Sequence, residues 1–139
     1  MQIIGGAEDS VDACTQPVKN GDVIKLFDDS LSITCIHAPC HTRGHTLFYC
    51  DSGETNHEAF SCERLQTGYT VVKNLDKFIF TGDTVFIGGC GRFFEGTPEE
   101  MLKNMDVMLT LPKDTKIFCG HEYTLSNFEF CVKAEGSVN

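Results

Sequence analysis

Positive charge is scarce in this chain: its 139 residues hold 11 Lys and Arg against 20 Asp and Glu, a formal net charge of -9. That balance argues against nucleic acid or an anionic membrane surface as a bulk partner, because both select basic surface that displaces counterions. An anionic small substrate would need a local basic cluster. Long apolar runs are missing too, and Met1 to Gly6 has neither the basic start nor the apolar stretch of a secretory signal. A cytosolic setting is the expectation. No C-x-x-C pair occurs among Cys14, Cys35, Cys40, Cys50, Cys62, Cys90, Cys119 and Cys131, so a structural zinc knuckle is unsupported. With no secretory signal the eight read as thiols, and Cys35, Cys50, Cys119 and Cys131, which lie in apolar runs, as small core hydrophobes.

What is present is one ordinary domain's worth of chain, residues 1–139, with 41% apolar residues and enough length to bury a core. Residues 22–27 and 31–37 read as strands around the turn Asp28-Asp29-Ser30, and Leu31, Ile33 and Cys35 alternate with Ser32 and Thr34. Thr46 to Asp51 is a further strand. Residues 54–74 are polar and aperiodic, an insertion or long hairpin. Thr97-Pro98-Glu99-Glu100 joins a capping box to proline at the first helical position. Met101, Leu102, Met105, Met108 and Leu109 follow at helical spacing and predict one apolar stripe packed on a sheet. A strand precedes His121, and a second helix starts after Tyr123, carrying Phe128, Phe130 and Cys131.

Three short apolar runs each end in a small-residue turn that delivers a donor. Residues 32–36 lead through Ala38-Pro39-Cys40 to His41, residues 78–80 through Thr81-Gly82 to Asp83, and residues 116–118 through Cys119-Gly120 to His121. Strand ends gathered at one point can build a site from residues far apart in sequence. Two imidazoles and a carboxylate suit zinc, or iron or manganese with more oxygen ligands. The His41-Thr42-Arg43-Gly44-His45 spacing would put both histidines on one helix face, but Pro39 and Gly44 argue for a loop, in which one histidine can ligate while the other supports it. Taken singly, each motif has a plain alternative: polar loop histidines, a Gly-Asp turn, and a structural histidine beyond a buried strand. Together they point to a shared site and a metal-dependent hydrolase.

Gly88-Gly89-Cys90-Gly91-Arg92-Phe93-Phe94-Glu95-Gly96-Thr97 adds a glycine-rich loop that presents a cation beside two aromatics. The ordered strings PCHTRGH, FTGDTVF, GCGRFFEGT and CGHEYT resemble glyoxalase II, the hydroxyacylglutathione hydrolases of the metallo-beta-lactamase superfamily. That resemblance implies an α+β fold, the layered αβ/βα sandwich, of which this chain supplies approximately the second half. It implies that His41 is a ligand of a first metal, His121 a ligand of a second, and Asp83 the carboxylate that bridges both and positions the metal-bound hydroxide. Arg92, Phe94 and Tyr123 fall at substrate-binding positions, Phe94 where many relatives have tyrosine. The implied cofactor is zinc, two per complete site, with iron or manganese as alternates.

The implied reaction is hydrolysis of S-(2-hydroxyacyl)glutathione thioesters such as S-D-lactoylglutathione to glutathione and a 2-hydroxy acid, a step of methylglyoxal detoxification. The setting is cytoplasmic, with a mitochondrial form as the alternate. The superfamily's T-H-x-H-x-D-H motif does not occur in the chain. The expectation is therefore a fragment or short isoform that hydrolyses weakly on its own. Two other readings stay open: a persulfide dioxygenase-like mono-iron enzyme, and a non-catalytic truncated isoform. Half a sandwich would also expose an apolar sheet face that favours self-association.

Overall fold

The computed structural model describes residues 1–53 and 76–136. The predicted insertion at 54–74 lies outside them. Among the described residues seven strands and two helices run in the order β1 (Ile4–Gly6), β2 (Gln16–Val18), β3 (Val23–Leu26), β4 (Leu31–His37), β5 (Thr46–Asp51), β6 (Lys77–Gly82), α1 (Pro98–Thr110), β7 (Lys116–Cys119), α2 (Thr124–Glu135). Strands β1 and β2 form a small parallel pair that the sequence pattern had not suggested. The other five form one sheet in the order β3-β4-β5-β6-β7.

Strand β3 turns back into β4 over the predicted aspartates. Asp28 and Asp29 take φ of 53° and 68°, left-handed values that short polar side chains tolerate better than most. The β3-β4, β4-β5 and β5-β6 pairs are antiparallel, while β6 and β7 are parallel and joined through α1. A parallel pair cannot be closed by a hairpin, so a crossover is required there and the helix supplies it.

The capping box forms as predicted. Glu100 N donates to Thr97 Oγ1 at 3.3 Å, and Thr97 N donates to Glu100 Oε2 at 2.8 Å. The predicted stripe is only half right. Met101 and Asn104 are buried and Met105 and Met108 are half-buried, whereas Leu102 and Leu109 are 64% and 83% exposed. The face toward the sheet follows positions 101, 104, 105 and 108 and continues to Leu111. Leu102 and Leu109 sit one residue, about 100°, beyond that face.

Period-two alternation divides the sheet's side chains between two faces. Ala38, Leu47 and Ile79 are fully buried on one, with Ile36, Tyr49, Met108 and Leu111 packed against them. Leu31, Cys50 and Phe78 form a second cluster with Ile33. On that second face the Phe78, Phe80 and Phe118 rings stand 5.5–5.9 Å apart, but Phe80 and Phe118 remain 47% and 38% exposed. Strand β7 corrects an expectation: it is an exposed edge strand, not a buried one. Among the described residues it ends the sheet, with only β6 beside it.

Cysteine behaviour also splits. The seven described cysteines are free thiols. Cys35 and Cys50 are buried core groups, and burial pushes the Cys50 thiol up to about 11, so it stays protonated at neutral pH. Cys119 and Cys131 are only half-buried.

Leu47→Ala should cost about 2–5 kcal/mol of stability, because it opens a void at the centre of the helix-covered face. Leu109→Ala should stay within about 0.5 kcal/mol, as an exposed position on the same fold. Urea denaturation of the two variants checks the assignment of the helix face.

Candidate metal site

Strand direction decides where the donors fall. Two antiparallel pairings separate β4 from β6, so they run the same way, and β7 runs parallel to β6. The C-terminal ends of β4, β6 and β7 therefore lie along one edge of the sheet. His41 follows β4, Asp83 follows β6 and His121 follows β7. The 38–45 connection, which is a loop as predicted, carries His41 and His45 along the same edge.

The structure brings the three predicted donors together around one oxygen. His41 Nε2 and His121 Nε2 each lie 3.4 Å from Asp83 Oδ2. His41 and Asp83 are largely buried at their side chains, while His121 is half exposed. His41 Nδ1 lies 2.8 Å from the Arg92 carbonyl oxygen, which can only accept. Nδ1 is then the protonated nitrogen, and in the neutral ring Nε2 presents its lone pair toward the carboxylate. Such a backbone contact on the remote nitrogen is how protein-bound imidazole ligands are commonly oriented.

Among the described residues no group of three or more His, Cys, Asp or Glu side chains forms a ready-made metal site. The arrangement nevertheless fits a cation. Two donors bonded at zinc distances in tetrahedral geometry sit about 3.3 Å from each other, close to both observed separations. Acceptors that face one another without a proton or cation between them repel, so the donor set itself favours a positive charge at its centre.

Glycines permit the approach. A Cβ on Gly120 would collide with Asp83 Oδ1, and one on Gly91 with the Asp83 carbonyl oxygen. Gly82 has φ of 49°, and Gly120 N donates to its carbonyl at 2.9 Å, tying the two turns together. Sequence reading took the glycine-rich loop of Gly91 to permit close backbone approach, but treated Gly82 and Gly120 as turn residues and missed their spacing role. The signal was available, because glycine stands directly before the donor in both Gly82-Asp83 and Gly120-His121.

Aromatics frame the donors. Phe94 packs tilted against His41 with ring centroids 5.0 Å apart, and the Arg92 guanidinium lies 5.8 Å from the Phe94 ring centre. Tyr123 stacks on His121 at 5.0 Å with planes 15° apart, and Phe86 meets both rings edge-on. The predicted substrate positions Arg92, Phe94 and Tyr123 are thus exposed groups on the rim of the same cluster. The other cation of this loop region, Arg43, is engaged by Glu100 Oε1 at 2.6 Å, and that contact holds the Glu100 carboxyl below its usual range.

No family model matches the chain. Its fold is the metallo-beta-lactamase fold. It superposes on a metallo-beta-lactamase from Staphylococcus aureus subsp. aureus COL with a TM-score of 0.59 and 19% identity, over 86% of this chain and 34% of that one. In sequence it is similar to hydroxyacylglutathione hydrolases, which bears out the resemblance carried by the four motifs. The cytoplasmic hydroxyacylglutathione hydrolase of Arabidopsis thaliana is 40% identical over 136 residues, 97% of this chain and 45% of that protein. The hydroxyacylglutathione hydrolase of Cupriavidus taiwanensis is 35% identical over 135 residues, 97% of this chain and 43% of that protein. The chain spans less than half the length of these relatives. Among the described residues no helix is long and apolar enough to cross a membrane.

Gly120→Ala should destabilise the fold by about 1–3 kcal/mol, since its methyl group meets Asp83 and the Gly82 backbone. Gly53→Ala serves as the comparison, with left-handed φ but open space around it. The loss at Gly120 should exceed that at Gly53 in thermal unfolding; equal losses would count against the spacing role.

Proposed function

We propose that this chain carries part of the metal centre of a thioester hydrolase that cleaves S-(2-hydroxyacyl)glutathiones, such as S-D-lactoylglutathione, to glutathione and a 2-hydroxy acid. The observation that carries this reading is the convergence of His41, Asp83 and His121 on one oxygen, rimmed by Arg92, Phe94 and Tyr123. The names of the relatives support the substrate class and, through the Arabidopsis protein, a cytoplasmic setting.

His41 Nε2, His121 Nε2 and Asp83 would hold divalent metal, zinc first, with iron or manganese as alternates. Metal so held lowers the pKa of water and polarises a carbonyl oxygen, the two needs of thioester hydrolysis. Asp83 is the shared carboxylate that fixes the spacing of the two imidazoles. Arg92 does two things: its carbonyl sets the His41 tautomer, and its exposed guanidinium is the basic contact that an acidic chain needs for anionic glutathione. The Phe94 and Tyr123 rings give the thioester an apolar wall, and the Tyr123 phenol adds a hydrogen-bonding group. Phe94 has no hydroxyl, so its contribution is packing alone.

The three donors gathered among the described residues are fewer than a closed two-metal centre uses, so the account predicts slow hydrolysis that depends strictly on added metal. The exposed Phe80 and Phe118 face is the surface through which we propose self-association. Glutathione release from S-D-lactoylglutathione, followed with zinc, iron or manganese added in turn, tests the reading. Asp83→Asn should abolish both metal uptake and turnover. Metal-independent turnover, or Asp83→Asn at the wild-type rate, would reject it. Arg92→Ala should raise KM several-fold while leaving bound metal per chain unchanged; an unaltered KM would remove Arg92 from the substrate site.

A further inference from the structure

His41 and His45 share one loop, yet their ring nitrogens are used differently. His45 Nε2 lies 3.1 Å from the Thr81 carbonyl oxygen. That oxygen can only accept, so Nε2 is the protonated nitrogen and has no lone pair to offer a cation. The same oxygen also accepts from Thr84 N at 3.1 Å, the bond that closes the turn Thr81-Gly82-Asp83-Thr84. Thr81 is fully buried, so water does not compete for its carbonyl as it would at the surface. The His45 ring is thereby anchored on the turn that presents Asp83.

Two further contacts extend this link. The ring lies so close over Gly82 that a Cβ there would stand 2.8 Å and 2.9 Å from Cε1 and Nε2. His41 meets it edge-on, with centroids 5.9 Å apart and planes at 82°. The backbone around the ring is itself fixed, because the His45 carbonyl accepts from Ala38 N at 2.8 Å and closes the 38–45 loop. One side chain therefore touches the Asp83 turn through a hydrogen bond and His41 through its ring edge.

We propose that His45 is a positioning residue that locks the Asp83 turn to the His41 loop, so that the His41 and Asp83 donors keep their separation before metal arrives. The proposal deepens the reading of His41, Asp83 and His121 as metal donors and rests on it. Its chemistry is specific. The hydrogen bond to Thr81 needs a donor at the Nε2 position, which glutamine can supply and phenylalanine cannot, while phenylalanine keeps an aromatic ring against His41.

The test measures zinc affinity of the purified chain by competition with a chromophoric chelator, for wild type, His45→Phe, His45→Gln and Asp83→Asn. Urea midpoints of the zinc-free proteins accompany each value and separate general destabilisation from loss of the site. His45→Phe should weaken zinc binding by about 10–100-fold, the range for removing a supporting partner of a metal site, and His45→Gln should recover most of it. Wild-type affinity in His45→Phe, or a His45→Gln chain as weak as His45→Phe, overturns the positioning role. Asp83→Asn binding zinc as tightly as wild type overturns the metal reading itself, and the His45 role falls with it. Loss in Asp83→Asn with no loss in His45→Phe overturns the His45 role alone.

Discussion

Two imidazole nitrogens face one carboxylate oxygen in this protein, and the geometry of the site follows from holding those groups 3.4 Å apart. Such a cluster does not arise from local sequence. It needs three strands that end on the same edge of a sheet, which the pairing pattern supplies by running β4, β6 and β7 in one direction. It also needs backbones that approach more closely than side chains allow. Gly91 and Gly120 leave that room, and the bond from Gly120 N to the Gly82 carbonyl keeps the two donor-bearing turns in register.

The same arrangement explains how the sheet is covered. Helix α1 crosses from β6 to β7, as a parallel pair demands, and packs Met108, with Leu111 just beyond its end, against the cluster of Leu47 and Ile79. This anchors one sheet face and fixes the spacing between the turns that follow β6 and β7. The opposite face leaves Phe80 and Phe118 partly open, and α2 buries none of its own residues among those described. Apolar surface therefore remains open on the outer face of the sheet and on α2, and also at Leu102 and Leu109 on the outer side of α1.

Much of this was legible in the sequence where a local rule has few competitors. The capping box of Thr97 and Glu100, the aspartate turn before Leu31 and the donors after strand ends rest on short-range chemistry, and the structure has all three. The β1-β2 pair was not legible, because three-residue strands carry too little pattern to separate from loop. The helix stripe was half legible: apolar identity marked Leu102 and Leu109 as core, but burial depends on which arc of the helix meets the sheet. Apolar content likewise suggested a buried β7, whereas its exposure follows from its place at the edge, a property of topology. At the site, residue types named His41, Asp83 and His121. Residue types could not show that His41 turns Nε2 toward Asp83 while His45 commits its own Nε2 to Thr81.

The central claim is that His41, Asp83 and His121 hold metal together. Anomalous diffraction at the zinc absorption edge, from crystals grown with zinc, tests it most directly. The account predicts anomalous density bonded to Nε2 of His41, Nε2 of His121 and the Asp83 carboxylate at about 2.0–2.2 Å. Zinc found only on thiols or surface carboxylates elsewhere, with these three side chains unligated, would contradict it.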